Sequence, residues 1–404
     1  MNRLIVIGGG AAGFFAAINA KEKNPDLQIT ILEKGNDVLQ KVKISGGGRC
    51  NVTHACFDPK ELTSYYPRGE KELLGPFHTF MTGDTFEWFE QNGISLKIEA
   101  DGRVFPESNS SQTIIDCFLR KAEQLDIKIL KNQFVTALNK SEKGWMIQTK
   151  TNEFQCEAVV YTTGSSKQGW KLLDKLNHTI ISPVPSLFTF NIKDERIINL
   201  PGVSVPNARV QLKNTSLEAS GPLLITHWGL SGPAVLKLSA FGARILHERN
   251  YEYRVQVNWI SQSNTEVEEQ LLLFKKEKSS QKVVGISSFV DIPKRLWDQL
   301  ALYSGIKTNQ NWADLTKTQI ENFTQQITRC QFEAKGKSTF KEEFVTAGGV
   351  DLKEINFKTF ESKLHPKLFL IGEVLNIDAV TGGFNFQNAW TGGWIVSESL
   401  SSSL

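Results

Sequence analysis

Short apolar runs and helical patterning occupy both ends of the chain, whereas its middle alternates apolar and polar residues one by one. Leu4-Ile5-Val6-Ile7 and Ile29-Thr30-Ile31-Leu32 read as buried strands, with an alanine-rich helix between them. Over 83–118 the pattern predicts helix, short strands and helix, with Trp88 and Phe89 on an apolar face. Strands follow at 127–130, 134–138, 145–147 and 156–161, the last running into Thr162-Thr163-Gly164. Pro183 and Pro185 break this pattern. Over 188–260, runs such as Ala208-Arg209-Val210-Gln211-Leu212 and Tyr253-Arg254-Val255-Gln256-Val257 predict a small antiparallel barrel or sandwich. Over 266–330 the period turns helical, with Pro293 as a helix start. Sheet chemistry resumes at Glu343-Phe344-Val345-Thr346 and Leu368-Phe369-Leu370-Ile371, and a last helix passes through Trp394 to Ser399. The expected organisation is a first domain over 1–187, a barrel insert over 188–262, a helical insert over 263–332 and the return of the first domain over 333–404.

The first strand runs straight into Gly8-Gly9-Gly10-Ala11-Ala12-Gly13. Gly8 allows the tight strand-to-helix turn, Gly10 lets the backbone approach a pyrophosphate, and Gly13 lets helix and strand pack closely. The helix N-terminus then offers free N–H groups and positive partial charge to the phosphates. Glu33 closes the second strand 20 residues beyond Gly13, where a carboxylate can accept from a ribose and repels a 2′-phosphate. NAD or FAD fits this site and NADP does not.

Two more glycine clusters favour FAD. Ser45-Gly46-Gly47-Gly48-Arg49-Cys50-Asn51 follows soon after Glu33, where an extended cofactor would next meet the chain, and Arg49 can line its pyrophosphate and ribityl portion. Near the end, a strand leads into Gly372-Glu373, then Asp378, then Thr381-Gly382-Gly383-Phe384-Asn385 at the start of a helix. A helix N-terminus aimed at flavin N1 and the C2 carbonyl stabilises the charge of the reduced ring. For Glu373 and Asp378 the alternative is a solvated loop after a strand.

Composition changes this picture little. The 404 residues suggest two or three domains. A net charge of +3 with 22% charged residues demands neither nucleic acid nor an anionic membrane. No apolar run is long enough to span a bilayer, and the glycine motif inside the apolar N-terminal stretch favours strand and helix over a signal peptide. Five scattered cysteines make no disulfide scaffold, so a reducing cytoplasm is expected. No metal site is expected, and the oligomeric state is open.

Together with Ala347-Gly348-Gly349-Val350, the glycine clusters resemble the flavoproteins of the glutathione-reductase fold. Four further segments are Ile44 to Asn51, Gly102-Arg103-Val104-Phe105-Pro106, Thr226-His227-Trp228-Gly229-Leu230-Ser231-Gly232-Pro233 and Thr381-Gly382-Gly383-Phe384-Asn385-Phe386-Gln387. Through them the whole chain resembles a bacterial family named after a Haemophilus hypothetical protein, whose members are described as aminoacetone oxidase-like or as NAD(P)/FAD-dependent oxidoreductases. The resemblance implies an α/β fold: a Rossmann-type FAD-binding domain interrupted by a small β-barrel and a helical subdomain. The sequence departs from it at Ser165 to Trp170, which is shorter than the corresponding loop of many relatives. By analogy with the wider fold, Val135 meets the adenine, Glu33 and Lys34 meet the ribose, and Thr163 and Gly164 close over the adenosine side. Gly372 and Glu373 then approach the pyrophosphate, and Asp378 and Gly383 to Asn385 border the flavin.

The expected activity is an FAD-dependent oxidoreduction of a small or medium organic molecule bound between FAD domain and insert, with hydride transfer at flavin N5. An enone reductase and an amine oxidase both remain open. His227 is a candidate general acid or base, or else fixes a turn. Arg103 either orients an anionic or carbonyl substrate or is structural. Cys50 and Cys56 are separated by five residues, against four in the redox pairs of glutathione-reductase relatives, which argues against a catalytic dithiol. No second GxGxxG lies in 188–332, so NADH or NADPH is expected only transiently, unless dioxygen accepts the electrons. The competing reading is a nucleic-acid-associated flavoprotein, of tRNA-modifying type or with structural FAD, drawing on Lys275, Lys276, Lys278 and Lys282. The near-neutral charge and Glu277 among those lysines weigh against it.

Overall fold

The computed structural model describes residues 2–338 and 345–403. The chain divides into two compact units, one of Met1–Pro183 with Val345–Leu404 and one of Val184–Phe344. The insert thus leaves and returns at 183/184 and 344/345, rather than at 187/188 and 332/333.

The first unit opens with β1 (Arg3–Ile7), α1 (Ala11–Lys23) and β2 (Gln28–Leu32). α1 forms because alanines dominate its interior, and it is buried from Ala12 to Ala20. Lys21 and Lys23 in its last turn complement the helix dipole. There follow α2 (Gln40–Gly48), β3 (Thr53–His54), β4 (Leu96–Ile98), β5 (Arg103–Pro106), β6 (Lys128–Leu130), β7 (Val135–Ser141) and β8 (Ala158–Tyr161). β9 (Ile180–Ser186) contains both Pro183 and Pro185, so these prolines do not end the strand pattern. It pairs in a two-stranded ribbon, where an unpaired edge tolerates a missing N–H.

The second unit carries β10 (Thr189–Asn191), β11 (Ser204–Leu212), β12 (Glu218–Ile225), β13 (Gly229–Ser231) and β14 (Glu252–Asn258). Then come α3 (Asn264–Glu277), α4 (Lys294–Tyr303), α5 (Lys317–Thr328), β15 (Cys330–Lys335) and β16 (Lys337–Ser338). Its sheet runs β15-β14-β11-β12-β13-β10-β16. The two ends of that order are one strand bent at Gly336 (φ 86°), so the sheet closes on itself as a barrel. The helices start where capping boxes dictate, Ser263 with Glu266 and Thr316 with Gln319, and Pro293 immediately precedes α4. Barrel and helices share one core: Val210, Val257 and Trp259 belong to the same buried cluster as Val267, Trp297 and Phe323.

The expected strand beginning at Glu343 and Phe344 falls outside the described residues; Val345 opens β17 (Val345–Val350), which pairs with β9. β18 (Ile355–Asn356), β19 (Glu361–Ser362), β20 (Leu368–Leu370) and α6 (Phe384–Ser403) complete the first unit. Its main sheet has the order β18-β19-β20-β8-β1-β2-β6 and is parallel from β20 to β6. α6 packs on α1 at Gly393, where a Cβ would stand 3.0 Å from the Ala16 backbone nitrogen and 3.4 Å from the Ala12 carbonyl oxygen. That close approach sets the last helix beside the first glycine turn. Among the described residues, no helix is long and apolar enough to cross a membrane.

Candidate active site

The turn from β1 into α1 is shaped by two glycines that tolerate no side chain and one that leaves space. A Cβ at Gly8 (φ 115°) would lie 2.5 Å from the Thr162 carbonyl oxygen, and one at Gly13 would lie 2.2 Å from that of Gly8. A Cβ at Gly10 would meet nothing within 4 Å. Gly10 also caps α1 without a side-chain acceptor, and no acid stands in the first turn. The N–H groups of Ala11, Ala12 and Gly13 therefore face open space with the positive end of the helix behind them. A pyrophosphate fits this cradle.

Glu33 accepts from the backbone of Gly9 (2.9 Å) and Gly35 (2.8 Å), one bond to each carboxylate oxygen. Each oxygen keeps a lone pair for a ribose hydroxyl. Lys34 is exposed. The chain entering β7 runs beside this turn, with the Gln133 N–H donating to the Glu33 carbonyl (2.8 Å), which brings buried Val135 to the same end of the sheet. At the end of β8, Thr162 Oγ1 donates to the carbonyls of Ile7 (3.0 Å) and Gly8 (2.8 Å), fastening the glycine turn. The neighbouring Thr163 Oγ1 is buried with no hydrogen-bond partner among the described residues. Gly164 (φ 59°) faces Glu373 and Lys41, which form an ion pair, and Gly372 lies against Ala12, where a Cβ would come within 3.4 Å. Gly164, Gly372, Glu373 and the first turn of α1 thus converge.

The second cluster ends α2. Ser45 (ψ 148°) breaks the helix, Gly46, Gly47 and Gly48 are left-handed, and Cβ atoms at Gly47 and Gly48 would meet nothing within 4 Å. This backbone is open. Arg49, by contrast, is committed: it pairs with Glu99 (2.6 Å) and lies over the Phe105 ring (3.8 Å). Arg103 on β5 pairs with Asp101 (2.7 Å) and Glu99 (3.4 Å). Two arginines and two carboxylates therefore neutralise one another across the β4–β5 hairpin.

The third cluster is docked on β3. A Cβ at Gly383 would strike the Thr53 carbonyl oxygen at 2.4 Å, and Asn51, its amide turned to fit, accepts from the Gly383 N–H (3.0 Å). Asn385 accepts from the Ala379 N–H (3.1 Å), and Phe384 clusters with His54 (centroids 4.5 Å) and Tyr65 (4.3 Å). Asp378 is fully buried and paired with Arg68, and Glu373 is held by Lys41, so neither belongs to a solvated loop. Cys50 and Cys56 are free, buried thiols whose burial pushes them up to about 12 and about 11. Thiols so held are poor redox nucleophiles.

His227 belongs to the other unit. The Thr226 N–H donates to the Gly229 carbonyl (2.7 Å), so His227 and Trp228 form the exposed two-residue tip between β12 and β13. Beside them is a groove of about 490 Å³ lined by Pro201, Gly202, Leu224, Ile225, Thr226 and His227. Of the lysines at and just past the end of α3, Lys275 donates to the Leu315 carbonyl (2.5 Å) and Lys278 sits over Phe274 (4.4 Å). Both are engaged by the protein itself. Lys41, Arg68, His54 and Tyr65 are additions that no motif announced: Arg68 and Asp378 are 310 residues apart.

Residues 2–399 match the model of the HI0933-like protein Rossmann domain. The chain belongs to that family. Within it, similarity runs end to end to the 3-dehydro-bile acid delta(4,6)-reductase of Clostridium scindens, 28% identical over 98% of both chains. The ribosomal RNA dihydrouridine synthase of Haemophilus influenzae is equally similar, at 28% identity over 98% of both. Among solved structures, the 3-ketosteroid delta1-dehydrogenase of Sterolibacterium denitrificans shares the fold, with a TM-score of 0.51 at 11% identity over all of both chains. The chain thus has the Rossmann-type α/β fold of that family, a fold it shares with a solved dehydrogenase.

Proposed function

We propose that the protein reduces a carbon–carbon double bond conjugated to a carbonyl. The observation that carries the cofactor part of the reading is the cradle, in which an uncapped helix N-terminus opens onto space before Gly10 and lies against Gly372. FAD, when bound, supplies the hydride from N5. Ala11, Ala12 and Gly13 hold its pyrophosphate, Glu33 and Lys34 its ribose, and Val135 its adenine. Thr163, Gly164, Gly372, Glu373 and Lys41 close over that end. The backbone from Ser45 to Gly48 and the α6 N-terminus at Gly383 to Asn385 border the ring. Asp378 keeps the approach to α6 in place through Arg68. The relatives support the bond type: one is named for reducing ring double bonds of a 3-oxo compound. The other is named for dihydrouridine, whose parent uracil has its 5,6 double bond conjugated to a carbonyl. Electrons come from NADH or NADPH, bound transiently.

His227 is proposed as the general acid or base of the insert. Arg103, spent on Asp101 and Glu99, is assigned a structural role. A second reading places the conjugated bond on a uracil base of ribosomal RNA rather than on a small molecule. It is favoured by Trp228, 59% exposed at the hairpin tip, where an indole can stack on an unpaired base.

The test is anaerobic reduction of the yellow protein by NADH or NADPH, followed by reoxidation with a 3-oxo-4-ene steroid or with uridine-containing ribosomal RNA. Reoxidation by the steroid alone supports the first reading, and by the RNA alone the second. Bleaching by amines but by neither nicotinamide overturns both. Replacing His227 with Ala is expected to slow turnover at least tenfold with FAD content unchanged; unaltered turnover makes the residue structural.

A further inference from the structure

The flavin-end loop is fastened to one ionisable side chain that the reaction does not otherwise use. His54 Nδ1 donates to the Gly382 carbonyl (3.1 Å), and its ring lies on that of Phe384, the first residue of α6. Gly102 closes the other edge, since a Cβ there would stand 2.6 Å from His54 Nε2. The imidazole therefore sits at the N-terminal end of α6, the end assigned above to flavin N1 and the C2 carbonyl. The charged groups acting on it are Asp101 and Arg103 on the β4–β5 hairpin and Glu61 on the segment after β3, and the Tyr65 ring is 5.8 Å away. Burial is the largest influence and holds the imidazole below its ordinary range, so it is neutral near pH 7.

We infer that His54 is a positioning residue that takes up a proton when the flavin is reduced, so that a cation forms beside the α6 N-terminus as the ring becomes an anion. This rests on the FAD assignment under the proposed function. The balance is FAD + 2e⁻ + H⁺ → FADH⁻, with a second proton going from solvent to His54 Nε2; the two electrons and the first proton come from the nicotinamide hydride. Developing negative charge favours protonation of a nearby imidazole, and the imidazolium in turn favours the reduced ring.

The experiment is the two-electron midpoint potential of the holoprotein between pH 5.5 and 8. One proton per two electrons gives about 30 mV per pH unit, and two give about 59 mV. The wild type is expected to show a steeper segment approaching the second value, and His54→Asn, which keeps a donor for Gly382, only the first slope throughout. Asp101→Asn removes a carboxylate that favours the imidazolium and is expected to move the steep segment to lower pH without abolishing it. Equal slopes in wild type and His54→Asn overturn the inference, whether both are shallow or both steep. A purified protein that takes up no FAD overturns the cofactor assignment instead, so the two failures are distinct.

Discussion

Glu33 and Asp378 are both acids near glycine turns, yet the structure uses them differently. Glu33 satisfies two backbone N–H groups that β2 and the first turn leave over. Hydrogen bonds to a charged acceptor contribute about 1.5–3 kcal/mol. Glu33→Ala is expected to lower the unfolding free energy by an amount in that range, read by urea denaturation, and to weaken FAD retention. Unchanged FAD occupancy after gel filtration would remove the ribose role. Asp378 has no exposure, and its loss leaves the Arg68 guanidinium without its carboxylate partner. Breaking a buried pair costs about 3–5 kcal/mol. Asp378→Ala is therefore expected to be the more damaging of the two variants by the same measurement. The glycine spacing singles out Glu33 because adjacent parallel strands bring the end of β2 beside the glycine turn. Nothing local marks Arg68, whose partner arrives from the far end of the chain.

Elements, unlike these pairings, follow from local pattern. Alanine density makes α1, capping boxes start α3 and α5, and unbroken apolar runs make the parallel strands. The two prolines predict a break where β9 in fact continues, because a sequence does not say whether a strand has a free edge. How closely two helices approach is equally invisible. At Gly393 the α6 backbone comes so near α1 that Gly393→Val is expected to force the helices apart. Overpacking of this kind costs about 1–3 kcal/mol. A lower denaturant midpoint is expected, with FAD affinity reduced because α1 carries the proposed phosphate cradle; an unchanged midpoint would mean that the contact yields.

At the scale of the whole molecule, one buried latch gives stability a pH dependence. His178 Nδ1 donates to Glu354 (2.7 Å) and Nε2 accepts from Ser362 (3.0 Å), tying the chain before β9 to the β18–β19 hairpin. Burial holds His178 below its ordinary 6.5, so the unfolded chain binds the proton first. Its contribution is complete above pH 6.5 and is lost as pH falls through that value toward the folded one. Glu354, which burial raises but Thr179 and His178 together hold below its ordinary 4.5, adds a further loss under more acid conditions. The expected outcome is a thermal midpoint that declines below pH 6.5 in the wild type and less steeply in His178→Gln. The sequence by itself determined most strands and helices, the interruption of one domain by another and the glycine turn between β1 and α1, because these follow from local pattern and from residues that permit a tight turn. Tertiary structure alone decided that Gly336 closes the barrel, that Lys41 meets Glu373, that Arg68 meets Asp378 and that His54 stands at the N-terminus of α6. Those outcomes depend on which distant backbones pack together, and no local period encodes that.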